Sequence, residues 1–184
     1  MTPSSSLVSL SIKSDRMAIY YAVRPCKSQK CLFPNLAHLA LTDILLSNSV
    51  KEFILSHSDS LTHLELNECR IGVVEAPPDP TYTWKHLFSR IQEEMGHLVS
   101  FSFTHSLGLD DLCVSESGDY FVLTLGYDGW LLGWNEEDFG GYMTQEEVDD
   151  LFQQDGLALD SLKAAIKLRS NFESQTNGSG PVGS

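Results

Sequence analysis

The residues most able to do chemistry are two histidines and a glutamate, His38, His63 and Glu65. If Leu36 and Leu61 open adjacent strands, His38 and His63 share a register and Glu65 lies two residues further along the same face. Two imidazoles and a carboxylate within reach of one another form a zinc-type donor set. The competing expectation is that both histidines are solvent-facing polar neighbours that bind no metal, and that is the expectation adopted, with no metal and no cofactor assigned. A second set, Asn135, Glu137, Gly140 and Glu146, falls at positions 1, 3, 6 and 12 of an EF-hand loop. Phe139 at position 5 and a strand-like approach argue against calcium there. Neither a Gly-x-Ser-x-Gly elbow, a P-loop nor a Gly-x-Gly-x-x-Gly turn occurs, so no catalytic residue is assigned and a non-enzyme is expected.

These side chains need a scaffold, and the segment LTHLELNECRI (Leu61 to Ile71) supplies its rule. Leu61, Leu64, Leu66, Cys69 and Ile71 occupy the fixed positions of a leucine-rich-repeat phrase, L-x-x-L-x-L-x-x-[N/C]-x-[L/I]. LAHLALTDILL repeats the spacing 25 residues upstream through Leu36, Leu39, Leu41, Ile44 and Leu46. Poorer copies start at Leu7 (with Leu10 and Ile12) and at Leu98 (with Phe101 and Phe103). The last step is lengthened by VVEAPPDPTY, whose prolines exclude helix and interior strand.

Helices are expected behind the strands. Ser49-Val50-Lys51-Glu52 reads as a capping box that opens a helix presenting Val50, Phe53 and Ile54. From Trp84, the residues Leu87, Phe88, Ile91 and Met95 recur at helical spacing up to a stop at Gly96. Strands alternating with helices imply parallel strands side by side. Further on, YFVLTL, the turn Gly126-Tyr127-Asp128-Gly129 and WLLGW read as a β-hairpin cap. A capping box at Thr144 opens a short acidic helix through Phe152 that Gly156 ends, and a last helix follows Asp160 with Leu162, Ala165, Ile166 and Arg169.

The chain carries 184 residues and a formal charge of −13. Between Asp110 and Asp160 stand 14 acidic residues and no Lys or Arg. Such a field repels phosphates and anionic lipid, so neither nucleic acid nor membrane is an expected partner. With no apolar run of about 20 residues and no signal-peptide pattern, a cytoplasmic or nuclear location is expected. Cys26 and Cys31 could bridge or bind metal, but four irregularly placed cysteines in such a compartment favour reduced thiols.

The phrases LAHLALTDILL and SVKEFILSHSDSLTHLELNECRI, a proline-rich insertion and WKHLFSRIQEEMGHLVSFSF resemble the C-terminal repeat region of fungal F-box proteins. The resemblance covers roughly residues 36–103. It implies a surface that recognises another protein. No F-box is recognisable, so docking to a Skp-type adaptor is not expected and ubiquitin-ligase assembly does not carry over.

The expected fold is thus α/β, a short leucine-rich-repeat-like solenoid of parallel strands and backing helices, capped by a β-hairpin and C-terminal helices. Residues 1–113 form the repeat-like region, 114–172 the acidic cap and 173–184 a disordered tail. The expected function is a non-enzymatic protein-interaction module contacting its partner through the concave-face residues His38, Ala40, His63, Glu65, Ser100 and Ser102. The alternatives are an unrecognised metal-dependent hydrolase on an α/β scaffold, and a structural remnant with no retained partner.

Overall fold

A computed structural model describes residues 6–14, 33–72, 83–105, 113–114, 120–121, 127–128 and 145–177. Four strands, β1 (Ser9–Lys13), β2 (His38–Thr42), β3 (His63–Asn67) and β5 (Ser100–Thr104), form one all-parallel sheet in the order β1-β2-β3-β5. Between them lie α1 (Asn48–Leu55), a short strand β4 (Ile71–Gly72) and α2 (Trp84–Glu94). The pairing sets Ser9 opposite His38, His38 opposite His63 and His63 opposite Ser100. Those steps of 29, 25 and 37 residues are the spacings of the leucine phrases in the sequence.

The register explains why these residues are strands. Side chains alternate across a strand, so parallel in-register pairing stacks like positions into rows. Leu10, Leu39, Leu64 and Phe101 form one row, and Ile12, Leu41, Leu66 and Phe103 the next. Leu39, Leu41, Leu64 and Leu66 are all buried, together with Val50 and Ile54 of α1 and Leu87, Phe88 and Ile91 of α2. Trp84 and Phe88 meet the ring of Phe103 edge-on, at centroid distances of 4.8 and 5.5 Å. The helices therefore cover one face of the sheet, with the aromatic phrase of β5 matched to the aromatic helix α2.

Each of β2 and β3 ends in the same device. Asp43 and Glu68, 25 residues apart, both adopt left-handed backbone with φ of 57° and 53°. Each turns the chain while its N–H still bonds to the next strand, Asp43 to Asn67 O and Glu68 to Thr104 O. Just beyond, fully buried Cys69 donates its thiol hydrogen to Leu41 O at 3.4 Å, tying the turn to the preceding strand. Burial pushes its pKa up to about 11, which keeps the thiol protonated and unreactive.

Several expectations need correction. α1 begins at Asn48 with Ser47 at its N-cap and no side-chain cap, so Ser49 lies inside the helix and forms no capping box. Glu52 reaches instead to Arg90 of α2 at 2.5 Å, a cross-helix ion pair that replaces the local bond. α2 begins as expected, with Thr83 accepting from His86 N–H. The acidic helix and the last helix are one, α3 (Gln145–Asn177), which runs through Gly156 and into the first residues of the expected tail. Tertiary anchors on both sides of Gly156 explain the continuity. Asp155, 1% exposed, accepts Lys85 N–H at 2.7 Å at the start of α2, while Leu162 and Ile166 enter the core.

Of the expected hairpin, Tyr120–Phe121 (β7) pairs antiparallel with Cys113–Val114 (β6), and Tyr127–Asp128 (β8) runs parallel to β4. Tyr127 and Asp128 are thus strand and not turn, because the β4 edge offers them a backbone partner. The second arm, residues 130–134, lies outside the described residues, as do Cys26, Cys31, Thr144 and the proline-rich insertion at 73–82.

Two outcomes follow. Leu64→Ala, at a site 1% exposed, is expected to cost about 2–5 kcal/mol in denaturant unfolding. Gly156→Ala is expected to stabilise by about 0.5–1 kcal/mol, because an added Cβ meets nothing within 4 Å and alanine favours mid-helix. Destabilisation by this change would mean that the helix breaks at Gly156.

Candidate functional site

The face of the sheet turned away from the helices carries the other half of the alternation. Its first row is Ser9, His38, His63 and Ser100; its second is Ser11, Ala40, Glu65 and Ser102. All six residues singled out in the sequence therefore lie on one surface, at neighbouring points of a regular grid. His38, Glu65 and Ser100 are exposed, and Ala40, His63 and Ser102 half-buried. Strands about 4.8 Å apart and side chains about 7 Å apart along each strand give that grid its dimensions.

The two histidines are held face to face, ring centroids 4.2 Å apart and planes 24° from parallel. Thr62 orients the pair. Its hydroxyl donates to Ala37 O at 3.1 Å, so its oxygen accepts from Nδ1–H of His63 at 2.8 Å. His63 then carries a hydrogen on Nδ1. Among the described residues, neither Ser9 nor Ser100 hydrogen-bonds to an imidazole, so the row contains no nucleophile with its base. Nor does any group of three or more His, Cys, Asp or Glu among them stand as a metal-ligand set. His38, His63 and Glu65 are neighbours without converging as ligands: the rings stack, and Glu65 belongs to the next row. Of the EF-hand positions, Glu146 is exposed in the first turn of α3, and Asn135, Glu137 and Gly140 lie outside the described residues.

A third row escaped the sequence reading: Lys13, Thr42, Asn67 and Thr104. Thr104 donates its hydroxyl hydrogen to Asn67 Oδ1 at 2.7 Å, which links β3 and β5 across the surface. Extending the period-two alternation by one step in each strand points to these residues, and the 29-residue offset likewise points to Ser9 and Ser11. Among the twelve residues of the three rows, Glu65 is the one carboxylate and Lys13 the one ammonium. The grid is thus rich in hydroxyls and nearly neutral, unlike the acidic segment that follows it in the sequence.

A separate groove of about 550 Å³ lies on the helix side, between α2 and α3, lined by Lys85, His86, Ser89, Glu147, Asp150 and Gln154 among others. Its potential anion site, the N-terminus of α2, is already occupied by the carboxylate of Asp155. Polar neighbours of both signs line the remainder.

No family model, curated protein or solved structure matches this chain. Among the described residues, no helix is long and apolar enough to cross a membrane.

The stacked pair yields one direct check. Zinc added to the purified protein is expected to leave the thermal midpoint unchanged, for the wild type and for His38→Ala alike. Stoichiometric zinc retained by the wild type and lost in His38→Ala would make the pair a metal site.

Proposed function

We propose that this chain is a non-enzymatic protein-interaction module of leucine-rich-repeat type, and that it binds its partner through His38, Ala40, His63, Glu65, Ser100 and Ser102. The observation that carries the reading is the grid itself. Three consecutive strands place these six side chains in two straight rows, on a face that neither α1 nor α2 covers. Such an array offers hydrogen-bond donors and acceptors, two aromatic rings and a single carboxylate, held by strands whose inner face is locked in the core. That rigidity matters for recognition, because side chains fixed before binding lose little entropy on contact.

Three features support the solenoid reading. The strands follow one another in chain order across the sheet, Asp43 and Glu68 repeat one turn conformation at a 25-residue step, and Cys69 bonds back to the strand before it. On this reading residues 1–113 form the recognition unit and 114–172 its acidic cap. The role proposed is substrate recognition of the kind performed by the repeat regions of fungal F-box proteins, without adaptor docking through these residues. A cytoplasmic or nuclear partner protein fits that role.

The test is capture of partners from extract of the native cell, comparing the wild type with the double variant His63→Ala/Glu65→Ala. A captured protein is expected to be lost from the variant, whose thermal midpoint stays within about 2 °C because both side chains lie on the solvent face. Equal capture by both proteins would refute the assignment of the face. Loss of folding together with capture would make these two residues structural.

A further inference from the structure

On the open face of the sheet, β5 stands lower than β3. Where β3 carries His63 and Glu65, β5 carries Ser100 and Ser102, so two short side chains lie beside two long ones. The result is a trough one strand wide, with His63 and Glu65 as its wall. The ring stack sets the character of that wall. Neighbouring strands are about 4.8 Å apart, and the imidazole centroids of His38 and His63 are 4.2 Å apart. The ring planes therefore stand across the line from β2 to β3. One face of His63 is covered by His38, and the opposite face looks toward β5, over Ser100.

Every polar group along the trough is able to accept a hydrogen bond. Glu65 is exposed and, among the described residues, has neither an ion-pair nor a hydrogen-bond partner. The side-chain hydroxyls of Ser100 and Ser102 likewise have no partner among them. In the next row, by contrast, Thr104 and Asn67 satisfy one another. Lys13, the one ammonium of the grid, lies two strands and one row from Glu65, about 12 Å between backbones, and forms no pair with it.

We infer that this trough takes an arginine side chain of the partner protein, its guanidinium flat on the outer face of His63 and paired with the carboxylate of Glu65. The inference rests on the reading of the grid as a recognition face. An unpaired carboxylate calls for a cation and repels phosphate or carboxylate ligands. An open aromatic face beside it favours a flat cation, which guanidinium is and ammonium is not. Glu65 stands about 7 Å further along β3 than His63, a span that its two methylenes cross to meet a group stacked on the ring. The planar fork gives two N–H groups to the carboxylate and keeps others for the hydroxyl oxygens of Ser100 and Ser102. Their small size leaves the guanidinium its room.

The probe is the peptide acetyl-Gly-Arg-Gly-amide, titrated into the whole chain at about 0.15 M salt. A chain of charge −13 collects cations at many points, so the readout is local: the ring C–H resonances of His38 and His63 in NMR spectra. A saturating shift of the His63 signals is expected, with a Kd on the order of 1–10 mM. The same peptide with lysine is expected to bind about threefold more weakly, and the one with uncharged citrulline to give no saturating shift. Glu65→Gln, and Ser100→Leu, which fills the trough, are each expected to weaken binding about fivefold with the thermal midpoint unchanged. No saturating shift at His63, equal binding of the citrulline peptide, or full binding by Glu65→Gln would each overturn the inference. If the captured partner is lost from His63→Ala/Glu65→Ala while the arginine peptide leaves His63 unmoved, the inference falls and the recognition face stands. Equal capture by wild type and double variant removes the face, and this inference with it.

Discussion

The parallel register of β1, β2, β3 and β5 is the constraint on which the remaining features depend. Side chains alternate along a strand, so a slip of one residue in any pair would carry its leucines to solvent and its polar residues into the core. The pairing of Leu39, Leu64 and Phe101 in one row and Leu41, Leu66 and Phe103 in the next excludes such a slip. Once these rows are buried, the intervening residues have no freedom. His38, His63 and Ser100 must stand side by side, and so must Ala40, Glu65 and Ser102.

A second constraint acts on the helix layer. α3 holds α2 by both ends, with the carboxylate of Asp155 at its first turn and the guanidinium of Arg169 on its last carbonyls. Each charge has the sign that the helix dipole favours at that end, and each satisfies backbone groups that a helix leaves unbonded. Leu162 and Ile166 fill the space between. Two polar clamps and an apolar centre fix the long helix against α2, where it also reaches β5.

Much of this was legible before any coordinates. The leucine phrases located all four strands of the sheet and their offsets, and the Trp84 phrase located α2, because burial of an alternating or helical pattern leaves a periodic trace. Local signals were weaker wherever a distant group competed with them. Ser49 and Glu52 have the spacing of a capping box, but Arg90 lies close enough to claim the carboxylate. Gly156 has the look of a helix stop, yet anchors on either side of it hold the helix straight through. Tyr127 and Asp128 sit among turn residues, and the edge of β4 recruits them as strand.

The chain by itself determined the spacing of the strands, the identity of the buried rows and hence which six side chains share a surface. These depend on periodicity, which a linear pattern records. Only the tertiary structure decided the stacking of His38 on His63, the role of Thr62 in holding it and the fusion of two expected helices into α3. It also decided that Cys69 reaches the carbonyl of Leu41. Each of these joins residues far apart in the chain or sets an angle between neighbours, and neither a distance across strands nor a ring orientation is written in the order of the residues.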